Sequence, residues 1–137
     1  MEFKYRRKIN YYETDKMGVV HHSNYIRFLE EARMEWMESA NVSMKKLEEK
    51  GITIPTLEVN CKYLYHVTSE DCIIIEPYIT EYNGIRINVS YNVTEEKTGK
   101  KVIEAYTKHC FTDKNLKPIN MKKKDKEINE IFESLKN

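Results

Sequence analysis

Cysteine is scarce in this chain: there are three, Cys61, Cys72 and Cys110. Their number is odd and no two form a CxxC pair, which argues against a zinc ribbon or a thioredoxin-like centre. They read as reduced thiols packed like small core residues. Neither sign of charge dominates, since 23 Lys and Arg face 22 Asp and Glu. Without a basic surplus to neutralise phosphates, nucleic acid is not an expected partner. No apolar run approaches the ~18 residues of a membrane span. The opening "MEFKYRRKINYYE" is charged and lacks the apolar core of a signal peptide. No GxSxG elbow occurs, and no two histidines stand at the i,i+4 spacing of a helical metal pair. The expectation is a cytoplasmic protein of one domain, residues 1–137, needing no metal and no cofactor. Its 137 residues suffice for one core and are too few for two.

What is present is patterned. Phe3, Tyr5, Ile9 and Tyr11 fall on one parity and Lys4, Arg6, Lys8 and Asn10 on the other, with Arg7 the exception. That alternation predicts a half-buried strand over 3–12. From about Ser23 to Ala40 the period becomes helical: Tyr25, Phe28, Leu29, Ala32 and Trp36 share one face, and Arg27 with Glu31 forms an i,i+4 pair. Ser23 or Asn24 can cap that helix. A short second helix follows, capped by Ser43 and ended by Gly51. From about Thr53 to Thr112 the chain reads as successive strands. Turns fall at Asn83-Gly84 and "EEKTGKK", and Ile85, Ile87, Val89, Tyr91 and Val93 alternate cleanly. The tail, 121–137, carries Ile128, Ile131, Phe132 and Leu135 at helical spacing and predicts an amphipathic helix. One strand, one long helix and antiparallel hairpins make an α+β domain, the helix covering one face of the sheet.

The densest polar chemistry stands in the connection "YETDKMGVVHH", Tyr12 to His22. The first N–H groups of a helix lack internal acceptors and carry its positive dipole end. Around His22 they would face a developing oxyanion. Asp15, a carboxylate ionised at neutral pH, could activate water or attack a carbonyl itself. Gly18 lets the chain fold back so that the acid and the helix end meet one substrate. An acid and oxyanion donors without a metal suit hydrolysis of an activated acyl group such as a thioester. Aspartate is also a common turn former, so the residues alone leave Asp15 both roles. His66 and His109 read as lone structural strand residues.

The string "NYYETDKMGVVHHSNYIRFLEEARMEWM", Asn10 to Met37, resembles the N-terminal signature of hotdog-fold acyl-CoA thioesterases. The branch it is most similar to is that of 4-hydroxybenzoyl-CoA thioesterases and the thioesterases encoded beside Tol–Pal genes. The "TD", "GVV", second His, "NY" and "EEAR" carry the match, and "CKYLYHVTSEDCIIIE" extends it more loosely. The resemblance implies a hotdog fold, one long central helix wrapped by a curved antiparallel sheet. It also implies a homodimer, often paired into tetramers, with active sites between subunits. Carried over, Asp15 is the catalytic nucleophile or general base. His22 supplies the backbone N–H that polarises the carbonyl, and Tyr11 stands near the site. Gly18, Val19 and His21 line the substrate pocket. His21 stands where an aromatic residue is common, and His66 where proline is frequent. Related enzymes use a helix carboxylate, which makes Glu30 or Glu31 the fallback. The expected activity is hydrolysis of acyl-CoA to free CoA and a carboxylic acid. The rivals are another reaction of the same fold, a non-catalytic acyl-CoA or acyl-carrier-protein binding module, and an oligomerising scaffold.

Overall fold

The computed structural model describes residues 3–136. Strand β1 covers Tyr5–Lys8, helix α1 His22–Ser39 and helix α2 Met44–Glu49. Strands β2 (Thr56–Tyr63), β3 (Cys72–Tyr82), β4 (Arg86–Glu95) and β5 (Lys101–Cys110) follow. Helices α3 (Met121–Lys124) and α4 (Lys126–Leu135) close the described chain. One antiparallel sheet holds all five strands in the order β1-β3-β4-β5-β2. The α+β architecture expected from the sequence is the one observed.

The apolar stripe of α1 meets one face of that sheet. Tyr25, Phe28, Leu29, Ala32, Trp36 and Met37 are buried on the helix. They pack with Ile73, Ile75, Val89, Tyr91 and Val93 of the central strands in one core. Burial of a large side chain contributes about 1.5–3 kcal/mol, so this interface outweighs every surface contact in the domain. Register breaks at Ile79/Glu81, Val93/Thr94 and Thr56/Glu58 insert irregularities that bend the strands.

Several local expectations are corrected. The strand expected over 3–12 ends at Lys8, and Tyr11–Glu13 form a single 3-10 turn. The cause is Glu13, whose carboxylate reaches back to the Asn10 N–H at 2.9 Å and so curls the chain out of the sheet. Helix α1 begins one residue early. His21 is its N-cap, through Nδ1 accepting the Ser23 N–H at 3.2 Å, and Asn24 is occupied elsewhere. Arg27 bonds Asn24 rather than Glu31, because Glu31 is taken by Arg7. The tail is two helices, not one. Asp125 breaks it by capping Ile128 N–H at 3.0 Å while pairing with Lys50 at 2.7 Å, and residue 137 lies outside the described residues. Of the β4 alternation, Ile85 lies before the strand and is exposed, whereas Ile87 through Val93 point inward. His66 lies in an exposed loop rather than a strand, and of the cysteines only Cys72 is buried, Cys61 and Cys110 being half-buried. Ser43 caps α2 as expected.

Strand β2 is one of the two edge strands, bonded only to β5, and Leu57, Val59 and Tyr63 on it are exposed. An open edge carrying apolar side chains is a surface that proteins normally cover.

Candidate active site

The connection between β1 and α1 is a small hairpin. Thr14 bridges Val20, the Asp15 N–H donates to the Val19 carbonyl at 2.7 Å, and the His21 N–H donates to the Glu13 carbonyl at 2.9 Å. Gly18 makes the reversal at φ +83°, a region that favours glycine. Its N–H donates to the Asp15 carbonyl at 2.9 Å. Val19 also bridges Thr68, which fastens the hairpin to the loop before β3. Asp15 and the start of α1 therefore belong to one tightly bonded unit.

Each expected site residue now has a place. The Asp15 carboxylate accepts the Met17 N–H at 2.8 Å and has no other hydrogen bond among the described residues. Its turn-forming role is thus real, and it leaves one oxygen uncommitted. The His22 N–H donates to no acceptor among the described residues, as the first turn of a helix requires. The His22 ring stacks on His21 at 4.2 Å and meets the edge of Tyr63 at 6.3 Å. The Tyr63 hydroxyl donates to the His22 carbonyl at 3.2 Å, tying the start of α1 to the end of β2. No hydrogen bond joins Asp15 to His22 within the chain. Tyr11 is not brought to Asp15 by any bond either: it is 82% exposed and contributes only its carbonyl, which accepts from Thr14. Glu30 is exposed and faces Arg33, and Glu31 is committed to Arg7.

Arg7, Glu13 and Glu31 hold the hairpin against the core, a role that the sequence reading gave to none of them. The Arg7 guanidinium makes a bidentate bond to Glu13 and a 2.9 Å bond to Glu31, and lies 4.5 Å over the Phe28 ring. Those two carboxylates raise its pKa, Glu13 most. Burial opposes ionisation of Glu31, yet Arg7 and the Tyr5 hydroxyl keep its carboxyl below the usual range. The carbonyl of Glu13 accepts the His21 N–H and, at 2.8 Å, the Asn24 side chain. Glu13 is thus bonded to β1 by its side chain and to α1 by its main chain. The signal was available: Glu13 stands three residues after Asn10, the spacing of a capping box. Nearby, burial pushes the Cys61 thiol up, away from the thiolate that sulfur nucleophiles need.

A second polar cluster lies under the middle of α1. Arg33 donates to the Tyr91 hydroxyl at 2.9 Å, Tyr91 shares a 2.6 Å bond with Thr107, and Thr107 a 2.7 Å bond with His109. His109 also meets Thr56 at 3.2 Å. Burial first, and then the Arg33 charge, lowers the His109 pKa from 6.5 to about 4. The unfolded imidazole therefore binds its proton at a higher pH than the folded one. Stability is full above pH 6.5 and falls as pH drops toward 4, with a loss of about 2 kcal/mol by pH 5. Urea midpoints at pH 7 and pH 5 measure this, and His109→Gln is expected to remove that part of the slope.

Among the described residues no group of three or more His, Cys, Asp or Glu stands together as a metal site, and no helix is long and apolar enough to cross a membrane. The family model described as the thioesterase-like superfamily matches residues 9–132. The chain is 35% identical over 128 residues to a protein of Aquifex aeolicus provisionally named an esterase, covering 93% of this chain and 98% of that one. It is 28% identical over 86 residues to the acyl-CoA thioesterase YbgC of Haemophilus influenzae, covering 62% and 63%. The crystal structure of the DHNA-CoA thioesterase from Staphylococcus aureus superposes with a TM-score of 0.90 at 24% identity, covering 97% of this chain and 89% of that one. The fold is the hotdog.

Proposed function

The chain belongs to the thioesterase-like superfamily, and on that premise we propose that it is an acyl-CoA thioester hydrolase with Asp15 and the start of α1 as its reaction centre. The supporting observation is the unengaged His22 N–H on the same bonded hairpin as a carboxylate with a free oxygen. The acyl carbonyl lies over the start of α1, where the His22 N–H and the helix dipole stabilise the oxyanion. Asp15 then acts in one of two ways. As general base it takes a proton from water, whose oxygen bonds the carbonyl carbon as the C–S bond breaks. As nucleophile it bonds that carbon itself, and water later cleaves the anhydride. Either way CoA leaves as a thiolate that is protonated, and the acid is released. The thioester is already activated, so the reaction needs no metal or cofactor. Tyr11 and His21 flank the entrance, with Gly18 and Val19 shaping the hairpin side of the pocket. Within the superfamily we assign it to the branch of 4-hydroxybenzoyl-CoA and Tol–Pal-associated thioesterases, acting in the cytoplasm.

Assembly completes the site. The open β2 edge pairs with that of a second copy, antiparallel about a two-fold axis, giving one continuous sheet per dimer. The dimer covers Leu57, Val59 and Tyr63, and dimers can pair further into tetramers.

The test is release of free thiol from a panel of acyl-CoAs. Hydrolysis of at least one with a kcat/KM above about 10⁴ M⁻¹s⁻¹ is expected. Saturable binding of acyl-CoA or acyl-carrier protein without thiol release would make the protein a binding module instead.

A further inference from the structure

A cavity of about 180 Å³ lies between α1 and the starts of β2 and β4. Met34, Met37, Met44, Ile54 and Val89 make apolar walls, and Glu30, Arg33, Thr56 and His109 make the polar part of the lining. A dry cavity of about 150 Å³ is large enough for benzene, so this one suits an aryl ring or a short alkyl chain.

Arg33 is the unusual member. Its side chain is only 13% exposed, yet its one hydrogen bond goes from Nη1 to Tyr91. Glu30 stands 3.9 Å from Nη2 and is itself 63% exposed, beyond hydrogen-bond reach. A guanidinium has five N–H donors, so four here have no acceptor among the described residues. His109 offers no competing charge, because burial and the neighbouring Arg33 charge lower its pKa to about 4, and its two ring nitrogens are engaged by the Thr107 and Thr56 hydroxyls. The nitrogens without a partner are not sealed from solvent, so a purely apolar guest would strip their water, whereas an oxygen acceptor at its tip would replace it.

The cavity is remote from its own chain's reaction centre. Arg33 comes eleven residues after His22 (33 − 22), about 16 Å along the helix axis. The edge strand supplies a shorter route. When β2 pairs antiparallel with its own copy over its whole length, Thr56 of each chain lies opposite Tyr63 of the other. Thr56 lines the cavity and bonds His109, and Tyr63 bonds the His22 carbonyl. The cavity of one copy is then delivered to the helix start of the other.

We propose that this cavity receives the distal end of the acyl group held at the second copy's helix start. Arg33 then selects acyl groups that carry an oxygen acceptor there, phenolic or carboxylate. The inference rests on the thioesterase reading and on β2 pairing.

Two substrate pairs test it: benzoyl-CoA against 4-hydroxybenzoyl-CoA, and hexanoyl-CoA against adipoyl-CoA. The oxygen-bearing member of at least one pair is expected to have a kcat/KM at least about tenfold higher, and the pair that responds identifies the oxygen. Arg33→Met is expected to collapse that preference to within about threefold. Arg33→Gln, which keeps a neutral donor toward Tyr91, serves if the methionine variant does not fold. It is expected to retain preference for the phenol and lose it for the carboxylate.

Trp36, the one tryptophan of the chain, also lines the cavity. Its fluorescence, titrated with the same acyl-CoAs in Asp15→Asn, reads occupancy without turnover. If nothing is hydrolysed but Trp36 still reports binding that depends on Arg33, the hydrolase reading falls and the cavity assignment stands. Equal rates within both pairs, or an unchanged preference in Arg33→Met, overturns the assignment, as does a Trp36 signal indifferent to Arg33.

Discussion

Asp15→Asn is expected to lower kcat by at least 100-fold, on the order of 3 kcal/mol of barrier, with little change in thermal stability. The asparagine side chain has the same shape. Its carbonyl oxygen can still accept the Met17 N–H that now binds the Asp15 carboxylate at 2.8 Å. The hairpin should therefore persist, along with the Asp15 N–H to Val19 carbonyl bond that closes it. What the amide cannot do is take a proton from water or attack a carbonyl. The contrast with Asp15→Ala is informative: alanine also loses the turn bond and is expected to cost about 1 kcal/mol of stability besides the activity. Steady-state thiol release alongside a melting curve for both variants measures this. Near-normal turnover in Asp15→Asn would reduce Asp15 to a turn former and move attention to the helix carboxylate Glu30.

Arg7→Met is expected to destabilise the fold by about 3–5 kcal/mol, the largest stability effect of any single surface-accessible charge in this chain. The reason is the partner left behind. Glu13 is buried, and its carboxylate faces the Arg7 guanidinium in a bidentate pair. Methionine fills much of the volume over Phe28 but leaves that carboxylate without its cation. Glu31 also loses a 2.9 Å bond, although half-exposure lets water compensate. Activity should fall with stability, because the Glu13 carbonyl is the acceptor for both His21 and Asn24 at the helix start. The double variant Arg7→Met, Glu13→Gln removes charge from both sides and is expected to recover a large part of the loss. Chemical denaturation of the three proteins closes the cycle. If the double variant is as unstable as the single one, the pair's charge is not what matters.

The elements were legible wherever a single period governed them. The stripe on α1 from Tyr25 to Trp36 and the alternation from Ile87 to Val93 both point into the core as read. Ser43 caps α2 because a serine oxygen before a helical run has few better uses. The site was legible in part. Asp15, Gly18 and His22 could be gathered from one stretch because the hairpin is local, six residues from bridge partner to bridge partner at Thr14 and Val20 (20 − 14). The supports were not, since Arg7 and Glu31 are 24 positions apart and no spacing rule links them. One clue was visible: Arg7 broke the parity of its strand by standing among the inward residues. A charge in an apolar register signals a buried partner, and Glu13 proved to be it. The helix start was displaced for a related reason. Asn24 had a distant main-chain acceptor at Glu13, so the capping position passed to an imidazole. The tail broke at Asp125 because that carboxylate answers to Lys50, 75 residues earlier.

The strand order bears on how the molecule is made. Strand β2 emerges from the ribosome before β3, β4 and β5, but its neighbour in the sheet is β5, with Tyr63 opposite Ile103 and Thr56 opposite His109. Strands β3, β4 and β5 can zip together as a meander as each is synthesised, while β2 waits for the last of them. Vectorial synthesis therefore leaves the β2 main chain unpaired until Lys101–Cys110 has been made, and only then is Tyr63 held where it bonds the His22 carbonyl. A nascent chain stopped before residue 101 would hold the Asp15 hairpin and the long helix, yet lack the strand on which β2 must lie.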